Sequence, residues 1–218
     1  MVYKNIRIGL VFALIVFINN NVSGEDANDI ISKVQKKYKS AKDIIIKFDR
    51  EFIFSLSKNR NIISGKIFIM GDDYLKYETE DQVFITDGEY VWNYSSTTNQ
   101  TIIDFYKSDE DEVLPKELLF NFNKKYKSKL LGRENIEGTN CYVLEAVPKE
   151  ENLEIKSLKV WIDSKKWITK RIEYLNLNDN IIVYSILDVK FDNELQEKFF
   201  EFKFPQGAEV IDLTGKLY

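Results

Sequence analysis

With 218 residues, 31 Lys and Arg against 35 Asp and Glu, and no histidine, the chain carries a formal net charge of −4. An acidic chain without a basic cluster is poorly suited to binding nucleic acid. The missing histidine removes Ser-His-Asp and Cys-His catalysis and most zinc sites, and the single cysteine, Cys141, precludes an intramolecular disulfide.

In chain order, Lys4 and Arg7 precede an eleven-residue apolar run, Ile8 to Ile18, and then a polar stretch ending in Val22-Ser23-Gly24. That run is too short for the roughly 20 residues of a bilayer span, so residues 1–24 read as a signal peptide cut after about Gly24. Its removal leaves 29 basic and 35 acidic residues, a net charge of −6, on about 194 residues. This length suits one domain, 25–218. An exported chain of this size without disulfides fits a bacterial envelope, and no cysteine stands at the cut to carry a lipid anchor.

Behind Asp26, the spacing of Ile30, Ile31, Val34 and Tyr38 predicts an amphipathic helix, with Lys36, Lys37 and Lys39 in its last turn. A long strand follows, with Ile44, Ile46, Phe48, Phe52, Phe54 and Leu56 on one parity and Arg50 interrupting them. Further strands are predicted over Ile63–Met70, Tyr74–Glu78, Val83–Thr86, Tyr90–Tyr94 and Thr101–Phe105, with Asp87-Gly88 as a hairpin turn. After the acidic run Asp109–Glu112, a second helix is expected near Pro115–Phe122, carrying Leu114, Leu118, Leu119 and Phe122 on one stripe.

Past this helix, strands are predicted near Tyr126–Leu131, Cys141–Val147, Ile155–Asp163, Trp167–Leu175 and Ile181–Phe191, and Phe200, Phe202 and Phe204 alternate before Pro205. About ten or eleven strands on short turns make a mainly β fold (α+β), an antiparallel meander too long to stay flat. Cys141 lies in an apolar β-like run and is expected to be a buried, inert thiol. No Gly-rich phosphate loop or convergent carboxylate pair appears, so neither an enzyme, a cofactor nor a metal site is expected. The concave face of such a sheet can be packed by side chains, plugged by a helix or left to hold a ligand, and periodicity leaves all three open.

Three runs sharpen this reading: Gly65-Lys66-Ile67-Phe68-Ile69, Tyr74-Leu75-Lys76-Tyr77-Glu78 and Thr86-Asp87-Gly88-Glu89-Tyr90-Val91-Trp92-Asn93-Tyr94. Further along stand Leu114-Pro115-Lys116-Glu117-Leu118-Leu119, Tyr142-Val143-Leu144 with Pro148-Lys149, and Phe202-Lys203-Phe204-Pro205-Gln206-Gly207. In this order, over nearly all of Asp26–Asp212, they resemble the periplasmic lipoprotein carrier family, LolA. The resemblance implies an unclosed β-barrel with a helical lid over an apolar cavity. It also implies a monomeric periplasmic carrier that takes acylated lipoproteins from an inner-membrane ABC-type release complex and delivers them to an outer-membrane acceptor.

Leu75, Tyr77, Trp92 and Tyr94 fall at family positions for lipid contact; Phe48, Phe52, Ile69, Leu118, Leu119 and Phe122 join them on parity and helical spacing. The family's Arg-Pro after the glycine-led strand, which latches the lid, is replaced here by Gly71-Asp72. Two other readings use the same half-barrel. An anchored acceptor would need a cysteine at the cut, and an envelope sensor or regulatory lipid-binding module would ordinarily add a second domain.

Overall fold

The computed structural model describes residues 26–107, 119, 122–150 and 155–216. The leader 1–24, the acidic run Asp109–Glu112 and most of the second predicted helix, including Leu118, lie outside the described residues.

Helix α1, Ala27–Lys39, forms where the spacing predicts it, with Ala27, Ile30, Ile31, Val34 and Tyr38 buried. Asp26 precedes it without a side-chain cap bond; its carboxylate instead accepts from the Asn28 amide at 3.4 Å. Eleven strands follow: β1 Asp43–Ile53, β2 Arg60–Met70, β3 Tyr74–Thr79, β4 Gln82–Thr86, β5 Tyr90–Ser95, β6 Gln100–Phe105, β7 Tyr126–Ile136, β8 Thr139–Pro148, β9 Ile155–Asp163, β10 Thr169–Asn176 and β11 Ile181–Phe191. A short helix α2, Phe122–Lys125, leads into β7, and β12, Glu209–Asp212, closes the series.

All twelve strands join one sheet in the order β12-β6-β5-β4-β3-β2-β1-β11-β10-β9-β8-β7. Two meanders, β1–β6 and β7–β11, meet where β1 pairs with β11; β12 and β7 are the two edges, so the barrel is unclosed. The chain leaves β6 at one side of the sheet and re-enters at β7 on the opposite edge. Leu119 and Phe122 belong to that connection, and both are buried in the main core.

Two local details show how the sequence sets this geometry. The Asp87 carboxylate accepts from the amides of Glu89 and Tyr90, while Gly88 takes φ +92°, which closes the β4–β5 hairpin as Asp-Gly predicts. Gly65 faces Phe48 across the β1–β2 pair, and a Cβ there would lie 2.4 Å from the Phe48 ring. The glycine that opens the β2 motif is thus the space into which Phe48 folds.

The strand bounds match the expectations to within a few residues at most ends. The C-terminal segment differs. Phe200–Phe204 alternates like a strand, yet it forms a 3-10 turn, Glu197–Phe200, followed by an unpaired extended strap. The strap is anchored by buried Asp43, whose carboxylate accepts from the amides of Asn193 and Leu195 and from the Asn193 side chain at 2.8–3.1 Å. This clasp satisfies the backbone where it leaves β11 and directs the chain across the sheet rather than along it. The strand that is present there, β12, pairs parallel to β6, which brings the count among the described residues to twelve rather than ten or eleven and makes one pairing of the meander parallel.

Candidate functional site: the inner face of the sheet

The sheet has two apolar faces of different construction. The inner face carries one continuous core that includes Ile67, Leu75 and Tyr77 of β2–β3 and Tyr142, Leu144 and Leu158 of β8–β9. β3 and β8 stand six strand positions apart, about 29 Å in a flat sheet. Their membership in one core follows from the sheet's curl and from α1, which lies in the hollow. Tyr38 of α1 meets the Phe191 ring edge-on at 5.4 Å and hydrogen-bonds with Thr169; burial pushes its hydroxyl pKa well up. The helix is therefore the plug of one half of the concavity, and its apolar stripe was visible in sequence while its destination was not.

Phe48 is the centre of the other half. It is fully buried, stacks on Tyr77 at 5.5 Å and lies 5.4 Å from Tyr184. Ile69, Leu75, Leu119 and Phe122 are buried in the same core, and Phe52 packs on it half-buried. Seven of the ten residues chosen from sequence are thus brought together on the inner face: Phe48, Phe52, Ile69, Leu75, Tyr77, Leu119 and Phe122. Leu118 lies outside the described residues.

Trp92 and Tyr94 are not brought there, which corrects their expected position. Leu75 pairs with Thr86 and Tyr77 with Phe84; these in turn pair with Val91 and Asn93 of β5. Paired residues in an antiparallel ladder share a face, so β5 turns Val91 and Asn93 inward and Trp92 and Tyr94 outward. Trp92 stacks on Phe202 of the strap, with ring centroids 6.3 Å apart and planes 5° from parallel.

This outer face has its own apolar cluster, Phe68, Ile85 and Phe200 with Val83, Trp92 and Leu195 around them. A cleft of about 750 Å³ opens between it and the strap, lined in part by Lys76, Ile85, Tyr94, Phe199 and Phe202. Cys141 is buried on a third, smaller cluster with Val143 and Trp161, and burial raises its thiol pKa, as an inert thiol requires.

Sequence reasoning missed Phe84, whose face depends on the register of two hairpins, and the polar group around Arg50. Arg50 shares the parity of Phe48 and Phe52, and its Nη1 donates to the Tyr77 hydroxyl at 3.2 Å. Its strand partner is Tyr184, whose hydroxyl also bonds to it. Burial pushes both phenol pKa values above their ordinary range, so both stay neutral. Among the described residues no group of three or more metal-ligating side chains converges. Among the described residues the inner face therefore offers apolar area and aromatic edges, with Arg50 beside Tyr77 and Arg133 beside Tyr142 as cations on it.

The architecture is an unclosed, curled sheet with an apolar inner face, and comparisons with known proteins show what the chain is similar to. The chain is 25% identical over 211 residues to an outer-membrane lipoprotein carrier protein of Francisella tularensis, covering 94% of this chain and 97% of that one. An uncharacterized protein of Methanocaldococcus jannaschii is 25% identical over 219 residues; the match covers 97% of this chain, which spans 61% of that relative's length. The fold recurs in an uncharacterized conserved protein of Thermus thermophilus, with a TM-score of 0.59, 14% identity and coverage of 85% and 98% of the two chains. Residues 77–189, just over half of the chain, match a family model described as "-like: Uncharacterized protein", and the chain belongs to that family.

Proposed function

We propose that this protein is a periplasmic carrier that shelters the acyl chains of lipoproteins against the inner face of its unclosed barrel. It receives them from an inner-membrane ABC-type release complex, passes them to an outer-membrane acceptor, and makes or breaks no bond. The observation that carries this reading is the continuous inner core that Phe48, Phe52, Ile69, Leu75 and Tyr77 share with Leu119 and Phe122 of the β6–β7 connection. Acyl burial is worth roughly 0.8 kcal/mol per CH₂, so such a surface needs dryness and area more than polar contacts.

Full-length mature protein is expected to bind an uncharged fluorescent acyl probe at 1:1. Leu75 is 2% exposed, so a charge there would disrupt folding and not report on ligand; half-buried Phe52 is the informative position. Phe52→Glu should weaken the probe by at least tenfold with an unchanged circular dichroism spectrum. Unchanged affinity would remove the inner face from the site. Release of lipoproteins from spheroplasts by the wild type, but not by Phe52→Glu, tests the transport step.

A further inference from the structure

Along β1 the inward parity of Ile44, Ile46, Phe48 and Phe52 is interrupted by Arg50. Arg50 projects from the middle of β1 between Phe48 and Phe52, and a guanidinium stays charged at every physiological pH. Its hydrogen-bond partners, the Tyr77 and Tyr184 hydroxyls, are neutral oxygens that fix the plane of the fork without balancing its charge. Asp81, the carboxylate whose field reaches it, bonds to the Thr79 hydroxyl, and among the described residues Arg50 makes no ion pair. The residue is half-buried, and none of its nitrogens is among the sealed polar atoms that lack a partner. Its remaining N–H donors are therefore open to what lies on the inner face.

An oriented cation beside apolar and aromatic walls has the chemistry of a headgroup reader. Resting on the carrier reading above, we propose that Arg50, positioned by Tyr77 and Tyr184, binds the anionic group of an acylated ligand. The phosphate or carboxylate would accept two parallel N–H bonds from the fork while the acyl chain lies along Phe48 and Phe52. The site then selects anionic amphiphiles over neutral or zwitterionic ones with the same chain.

The test uses the full mature protein loaded with an uncharged acyl probe, displaced in parallel by palmitoyl-lysophosphatidylglycerol and palmitoyl-lysophosphatidylcholine. A charge-assisted bond predicts roughly tenfold tighter binding of the anionic lipid. Arg50→Gln should erase the difference between the two lipids. Tyr184→Phe, which removes one orienting hydroxyl, should reduce the preference in part, and Arg50→Lys should restore only some of it. Equal displacement by the two lipids in the wild type, or a preference that survives Arg50→Gln, would overturn the assignment. Should Arg50→Gln fail to fold, the wild-type comparison and Tyr184→Phe still decide. Inorganic phosphate in millimolar excess is expected to leave the anionic lipid bound; selective displacement would assign Arg50 to a free anion and overturn the headgroup reading. Loss of probe binding by the wild type itself would instead sink the carrier reading.

Discussion

The two faces of the sheet bury similar side chains by different means. Inside, alternate residues of consecutive strands, from β3 through β1 to β8, converge on Phe48 and α1, so each strand's parity contributes to one core. Outside, the cover over β2–β5 is an irregular strap held at its root by one carboxylate, Asp43, and along its length by aromatic contacts such as Trp92 with Phe202. The inner face is regular and cooperative; the outer face depends on a few long-range contacts. A site that must release a bulky ligand without unfolding fits the first, since its framework stands on backbone pairing.

The largest effect expected from this contrast is at Phe48. Phe48→Ala should cost roughly 3–5 kcal/mol in denaturant unfolding, and Gly65→Ala roughly 1–3 kcal/mol, because its Cβ meets the Phe48 ring and the Glu78 carbonyl. In the double variant the two costs should sum to less than the separate values, since the ring that the added methyl would strike is gone.

Asp43 comes next. Burial pushes its carboxyl upward, but bonds from Asn193, Leu195 and Glu194 outweigh that and hold it below the ordinary carboxylate range. A lowered folded-state pKa means the stabilisation is present above the unfolded-state value and is lost as pH falls through the folded one. Asp43→Ala should cost roughly 2 kcal/mol and speed hydrogen exchange over residues 193–205 while the inner strands keep their protection. Acidification should loosen the same segment in the wild type and have no further effect in the variant. The smallest expected change is Trp92→Leu, about 1 kcal/mol, with acyl-probe affinity unaltered; a loss of probe binding would return Trp92 to the site.

The same contrast explains what the sequence makes legible. Parity and turn residues locate eleven strands and α1, because period two, period 3.6 and Asp87-Gly88 are local signals. The face of β5 is not local: it follows from Leu75 to Thr86 to Val91 across two hairpins, and a shift of one residue in either reverses it. Phe200–Phe204 alternates like a strand but obeys Asp43, at the start of β1 and far from it in the chain, and β12 is too short and too polar to announce a parallel pairing. Arg50 reads as an interruption on an apolar parity until Tyr77 and Tyr184, from two other strands, are seen around it.

The central claim is that ligand lies on the inner face, and neighbouring strands offer a direct test. Phe84 of β4 faces inward and Trp92 of β5 outward. Two single-tryptophan proteins, one retaining Trp92 and the other carrying Phe84→Trp with the three native tryptophans changed to Phe, should be titrated with a brominated fatty acid. Strong quenching in the Phe84→Trp protein and little at Trp92 is the predicted result; quenching at Trp92 with none in the Phe84→Trp protein would contradict it.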